Sequence, residues 1–205
     1  MSWPDAERLI LASGSTTRRN LLVSAGIAME IVPAKVDEPA LRQAILEQRE
    51  DVPRQDVSQA LASAKAVAVS AIHPEALVIG ADQILTFGQD VLEKPASVAD
   101  ARACLVMLRG QTHQLHSSIA LARAGAVIWT HTSTATLTMR DFSDARLEAY
   151  LEEAGDEVLT SVGAYQIEGQ AIQLFEHIDG DYTTILGLPL LPLLAELRRQ
   201  KVLAQ

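Results

Sequence analysis

The chain has one cysteine, no apolar run long enough to cross a membrane and no surplus of basic residues, and each shortage removes a class of protein. Cys104, alone among 205 residues, cannot close an internal disulfide. It lies within an apolar helical pattern, so it reads as a small core residue rather than a nucleophile, and a reducing cytoplasm fits. No apolar stretch approaches the roughly 20 residues that span a bilayer. The first residues, MSWPDAERLI, lack a basic segment followed by an apolar one. A cytoplasmic protein without membrane contact is expected. With 17 Lys and Arg against 26 Asp and Glu, the formal net charge is -9. That balance argues against non-specific binding of polymeric nucleic acid, which needs a basic face. A phosphate-bearing small molecule stays compatible if a few concentrated cations and a bound metal receive it, because the global field repels anions. Repeats and low-complexity segments are also missing.

What is present is the pattern of a globular protein, 48% hydrophobic and 21% charged, expected to form a single domain over residues 1–205. The run RLILAS from Arg8 to Ser13 predicts a buried strand, followed by Gly14, three hydroxyl residues and a short helix, RRNLLVSAG, ended at Gly26. A brief strand near Met29 to Pro33 leads into a polar, proline-punctuated stretch. A helix follows from about Asp56 to Ile72, with Val57, Leu61, Ala64 and Ala68 along one face, stopped by His73-Pro74. Ala76 to Leu85 is a nearly continuous apolar run, the pattern of a strand covered on both faces, interrupted by Asp82.

Ser97 can cap the next helix, which ends at Gly110, and two strands are joined at Ala124-Gly125. In the second, Thr130, Thr132, Thr134, Thr136 and Thr138 fall on one face, which reads as a solvated sheet surface rather than a binding ladder. A helix from Ser143 to Glu153, a strand pair around Gly180-Asp181 and an amphipathic helix in LLPLLAELRRQ close the chain. Helices interleaved with strands, plus one antiparallel hairpin, give an α/β protein with a mixed sheet and flanking helices.

Several residues carry chemical potential. The loop Ser13-Gly14-Ser15-Thr16-Thr17 and Arg18-Arg19 present backbone amides, hydroxyls and guanidinium groups at a helix start, a suitable place for phosphate oxygens or simply a capped helix with solvated arginines. Asp82 in VIGADQIL is a carboxylate in a buried strand, costly unless hydrogen-bonded, paired or metal-bound, and Gly80 and Ala81 leave room for a ligand to approach. Asp37-Glu38 is a second acidic pair of the kind magnesium or manganese prefers, and also of the kind that is merely solvated. Lys65, at the edge of an apolar helix stripe, and Lys94, just before a proline, are either functional or snorkelling lysines. His113 and His116, three apart on a strand, point to opposite faces and read as structural.

LILASGSTTRRNLL, VDE, the lysine of ALASAKA, VIGADQIL, LEKP, LRGQTH, GAYQIEG and GDYTTILGLPL occur in this order from Leu9 to Leu190. Together these motifs resemble the Maf family of nucleotide pyrophosphatases over essentially the whole chain. The resemblance implies a fold related to the inosine triphosphate pyrophosphatases, with two lobes around a cleft and dependence on a divalent metal, magnesium or manganese. It implies hydrolysis of a nucleoside triphosphate to the monophosphate and pyrophosphate. By matching positions, Ser13, Arg18, Lys65 and Lys94 would hold the triphosphate, Glu38 and Asp82 would hold or activate metal and water, and Glu168 would face the base. Asp82 is the general base in this reading, with Lys94 and Arg18 as its catalytic cations. Thr16 departs from the proline common in the loop, and Ser161-Val162 replaces the usual Lys-Ala.

Within the resemblance, Thr17 and Glu168 separate two branches. A non-arginine with Glu resembles the branch preferring 7-methylguanosine triphosphate, as do Gln83 and LFEHIDG, whereas GAYQ is closer to the branch preferring thymidine and uridine triphosphates. An ionised Glu offers only acceptors, which suit the N1 and N2 donors of guanine. The alternatives are a thymidine/uridine or broad house-cleaning pyrophosphatase, and a non-catalytic nucleotide-binding regulator of cell division, which would be expected to have lost a chemical carboxylate. The expected partner is a small nucleotide; a homodimer is left open.

Overall fold

A computed structural model describes residues 8–48 and 53–204. Part of the proline-punctuated stretch, residues 49–52, therefore lies outside the described residues. The chain divides into two compact units: one holds the chain up to Gln83, His116–Ser133 and the chain from Asp181 onward, the other Ile84–Leu115 and Thr134–Gly180. Among the described residues, seven strands form one sheet in the order β2 (Glu30–Ile31), β1 (Leu9–Leu11), β3 (Leu77–Phe87), β5 (Thr112–Arg123), β6 (Ala126–Met139) and β7 (Phe175–Asp179), with β4 (Asp90–Leu92) paired to β3. β1 runs parallel to β2 and β3, whereas β3–β4 and β6–β7 are antiparallel, so the sheet is mixed as expected.

In the first unit, the apolar run around Asp82 is explained by helices on both faces of the sheet. Leu9 and Leu11 of β1 and Leu77, Ile79 and Ala81 of β3 pack with Leu22 of α1 (Thr16–Ser24) and Leu193 and Leu197 of α7 (Leu190–Arg199). The alternate residues Ile10, Ala12 and Val78 pack with Val69 of α3 (Arg54–Ile72). This period-two division leaves no position along the strand for a solvated side chain, which is why nearly every residue is apolar. At the β5–β6 connection, Ala124 at φ 48 and Gly125 at φ 78 occupy the left-handed region, the two-residue hairpin turn whose twist matches its strands.

Three local expectations need correction. The proline-punctuated stretch contains a helix, α2 (Glu38–Gln48). Pro39 sits in its first turn, where the missing N–H costs nothing, and Asp37 Oδ1 accepts from the Ala40 nitrogen at 3.1 Å. There is no strand pair around Gly180-Asp181, because Asp181 accepts from the Thr184 nitrogen at 3.1 Å and caps a short helix, α6 (Tyr182–Ile185). The threonine face of β6 is not simply solvated either. Gln59 of α3 donates to Thr130 at 3.2 Å, and Thr132 is bonded to Ser118 at 2.7 Å.

The second unit packs α4 (Val98–Leu108), capped by Ser97 as expected, and α5 (Asp144–Ala154), capped by Ser143, together with 3-10 turns around Val158 and Ala164. Cys104 on α4 is half-buried rather than a core residue, and burial raises its thiol pKa, so it stays a poor nucleophile. His113 is structural, as read: its Nε2 lies 2.7 Å from the Tyr165 hydroxyl, and Tyr165 meets Phe175 edge-on at 4.9 Å.

Burial lowers the His113 pKa from 6.5 to about 4. The unfolded chain therefore takes up a proton between these values that the folded protein refuses, and stability falls as pH drops through the window by up to about 3 kcal/mol. Melting temperature followed from pH 7 to 4 should show this slope, reduced in His113→Gln and with a remainder from His116, which burial also holds down. Equal slopes in the variant and the wild type would remove His113 as the cause.

Candidate active site

One close approach positions the acidic residues of the first unit. A Cβ built on Gly80 of β3 would run into the Ala62 carbonyl oxygen and come within 2.7 Å of the Ala66 nitrogen. Only glycine lets α3 lie this deep against the strand. The room expected at Gly80 and Ala81 for a ligand is thus filled by the backbone of α3, and Ala81 is wholly buried in the core. Lys65, between Ala62 and Ala66 on that helix, is carried to Asp82, two residues along β3.

Lys65 is not a snorkelling residue: it is 7% exposed, and Asp82 is 5% exposed. Its ammonium donates to Asp82 Oδ1 at 2.7 Å and meets Glu38 Oε2 at 2.9 Å. Glu38 opens α2, which packs on α3, so the Asp37-Glu38 pair divides its work: Asp37 caps the helix and Glu38 turns to Lys65. Asp82 Oδ2 is buried and has no hydrogen-bond partner among the described residues. Burial raises the Asp82 pKa, with Lys65 and then Arg18 working against it.

The loop after β1 contributes a second set. Ser15 caps α1 by accepting from the Arg18 nitrogen at 3.3 Å, and Ser13 is buried, accepting from Arg18 Nη1 at 3.2 Å. The Arg18 side chain is far from a solvated arginine. Its Nη1 also donates to the Ala81 carbonyl at 2.9 Å, and its Nε donates to the Gly187 carbonyl at 2.8 Å. Burial lowers its pKa, opposed by Asp82 and then Glu38. Nη2 makes none of these contacts. Thr17, one residue earlier on α1, is half-buried.

The structure therefore brings Ser13, Thr17, Arg18, Glu38, Lys65 and Asp82 into one unit. Lys94 and Glu168 belong to the other unit, Lys94 exposed after β4 and Glu168 exposed in a turn before the 3-10 segment Gln170–Leu174. Gly187 was not singled out from the sequence. Its signal is a glycine at φ 87 in the segment ILGLP, where a side chain would press on Arg18.

As a place for a metal, the donor set is all oxygen, the carboxylates of Glu38 and Asp82. No group of three or more His, Cys, Asp or Glu suited to a metal occurs among the described residues. The residues fit a hard cation that keeps waters or takes substrate phosphates as its remaining ligands, as magnesium does, and do not fit a closed structural metal. No helix among the described residues is long and apolar enough to cross a membrane.

The model of the Maf-like protein family matches residues 8–200. A 7-methyl-GTP pyrophosphatase of Mesorhizobium japonicum is 52% identical over 192 residues, covering 94% of this chain and 96% of the relative. One of Brucella abortus is 50% identical over 194 residues, covering 95% and 96%. A nucleoside triphosphate pyrophosphatase of Rhodopseudomonas palustris is 47% identical over 202 residues, covering 98% of each chain. Similarity of this extent, along the whole length that carries Ser13, Arg18, Glu38, Lys65 and Asp82, identifies the chain as a member of the Maf family.

Proposed function

We propose that this chain is a nucleoside triphosphate pyrophosphatase that cuts between the α and β phosphates. The observation that carries this reading is the pair of carboxylates held on one lysine, with a buried Asp82 oxygen lacking a donor. The names of its relatives support it. Hydrolysis at the α phosphorus needs a group to orient and deprotonate water and cations to offset charge on the departing pyrophosphate. Asp82 Oδ2 takes the water proton as the oxygen attacks, while Lys65 on Oδ1 keeps the carboxylate oriented. As the bridging P–O bond breaks, Arg18 Nη2 offsets the charge of the pyrophosphate leaving group, and Ser13 holds the Arg18 guanidinium in place.

Glu38 and Asp82 would hold magnesium or manganese, which when bound supplies charge stabilisation for the phosphate oxygens. A purely binding regulator would be expected to have lost a chemical carboxylate, and Glu38 and Asp82 are both present, so the catalytic reading is favoured. We further infer a preference for 7-methylguanosine triphosphate, supported by the names of two of the relatives above, by Thr17 in place of arginine and by Glu168. The acceptor-only carboxylate suits the donor edge of guanine, and N7 methylation gives the base positive character that a carboxylate favours. We place the activity in the cytoplasm.

The test is a panel of nucleoside triphosphates with magnesium or manganese, scored for products. Monophosphate and pyrophosphate are expected, with EDTA abolishing turnover and 7-methylguanosine triphosphate hydrolysed more efficiently than thymidine or uridine triphosphate. Glu168→Gln should narrow that gap by about tenfold, the size of one hydrogen-bond preference in kcat/KM. Direct release of orthophosphate would overturn the reaction, and a wild-type preference for thymidine triphosphate would overturn the substrate assignment alone.

A further inference from the structure

Gln83 follows Asp82 on β3, and alternation along the strand sends its side chain to the face opposite Lys65. There its amide nitrogen, with two N–H bonds, lies within hydrogen-bond distance of three acceptors: Ser117 Oγ at 2.9 Å, the Thr184 carbonyl at 3.1 Å and the Ile185 carbonyl at 2.9 Å. The assignment of nitrogen rather than oxygen to this position follows from the partners. Carbonyls only accept, and Ser117 gives its own proton to the Thr184 carbonyl at 2.7 Å, which leaves its oxygen to receive one. A carboxylate of the same length would face two carbonyl oxygens with no proton to offer.

Thr184 and Ile185 end α6, and the chain then turns through Gly187 at φ 87, whose nitrogen bonds back to the Thr184 carbonyl at 3.0 Å. The Gly187 carbonyl is the acceptor for Arg18 Nε. A Cβ at this glycine would come within 3.3 Å of Arg18 Nη2 and 3.6 Å of Gln83 Oε1, so the two side chains flank the same backbone residue. We propose that Gln83 is a positioning residue for Arg18: its amide clasps the end of α6 and fixes the turn whose carbonyl aims the guanidinium. This rests on the reading above, in which Arg18 offsets charge on the leaving pyrophosphate.

The experiment uses the full chain with Gln83→Met, which keeps length but has no donor, and Gln83→Glu. The first readout does not depend on activity. Exchange of the Arg18 Nε–H with solvent, followed by NMR, should quicken by about tenfold in both variants as its acceptor loosens. The second is kinetic: kcat should fall by about tenfold with KM within about threefold, because the aim of a charge-stabilising group is altered rather than substrate binding as a whole. The third is a double-mutant cycle, in which Gln83→Met added to Arg18→Ala costs less than about twofold further. Unchanged Arg18 exchange in a folded Gln83 variant, or losses that simply multiply, would overturn the proposal. Should Gln83→Met fail to fold, Gln83→Ser, which admits water in place of the amide, carries the same comparison. If the wild type releases no pyrophosphate, the pyrophosphatase reading falls, while the exchange measurement still decides whether Gln83 positions Arg18.

Discussion

Asp82→Asn lowers kcat for pyrophosphate release by about a thousandfold, the loss expected when a general base is removed from a metal-assisted hydrolysis. The fold survives because asparagine keeps the shape of the side chain and Lys65 still has Glu38 at 2.9 Å. Stability changes little, since Glu38 keeps the buried Lys65 from being left as an uncompensated charge. Pyrophosphate release by the purified variant, with a thermal melt beside it, checks both halves. A well-folded variant within about tenfold of the wild-type rate would exclude Asp82 as the base.

Gly80→Ala is the second large effect, and it joins the fold to the chemistry. The added methyl group would occupy space held by the Ala62 carbonyl and the Ala66 amide, atoms that cannot rotate aside. α3 must then back away from β3, at a cost of about 3 kcal/mol or more for overpacking a rigid core. For a chain of this size that is about 10 °C in melting temperature. The same retreat draws Lys65 away from Asp82, so turnover should fall in molecules that remain folded. Differential scanning calorimetry and the pyrophosphate assay together test this. An unchanged melt would mean that the helix tolerates a side chain at Gly80 and that its depth does not set the site.

Local structure was legible wherever one face of an element carried the pattern. The Ser97 cap, the turn at Ala124-Gly125 and the doubly covered strand around Asp82 follow from residue types within a few positions of each other. Helix α2 was missed because Pro39 reads equally as a breaker and as a first-turn residue, and only the Asp37 cap decides between them. Asp181 reads as a turn between strands for a similar reason: Asp suits both turns and helix caps. The chemistry was partly legible. Asp82 stood out because an apolar strand has no ordinary place for a carboxylate, but nothing local could tell whether Lys65, 17 positions earlier, was its partner or a surface residue. Gly80 was noticed as open space, whereas its function is to be filled. Arg18 is expected from the sequence to face a phosphate, and its Nε and Nη1 bonds to Gly187, Ala81 and Ser13 show that three of its five N–H donors are spent on the protein itself.

Within the first unit, Glu38 and Asp82 set two negative charges against the two positive ones of Lys65 and Arg18, so the formal charge of this cluster balances while the chain as a whole carries -9. An approaching nucleotide therefore meets no net electrostatic funnel in this cluster. Its capture depends on arriving already neutralised in part by its own counter-ion, and the distant field of the protein slows the encounter rather than guiding it. Screening that field should speed the encounter: kcat/KM rises modestly as inert salt is increased through the range where the Debye length shrinks from about 30 to about 10 Å, the opposite of the steep fall shown by enzymes with cationic funnels.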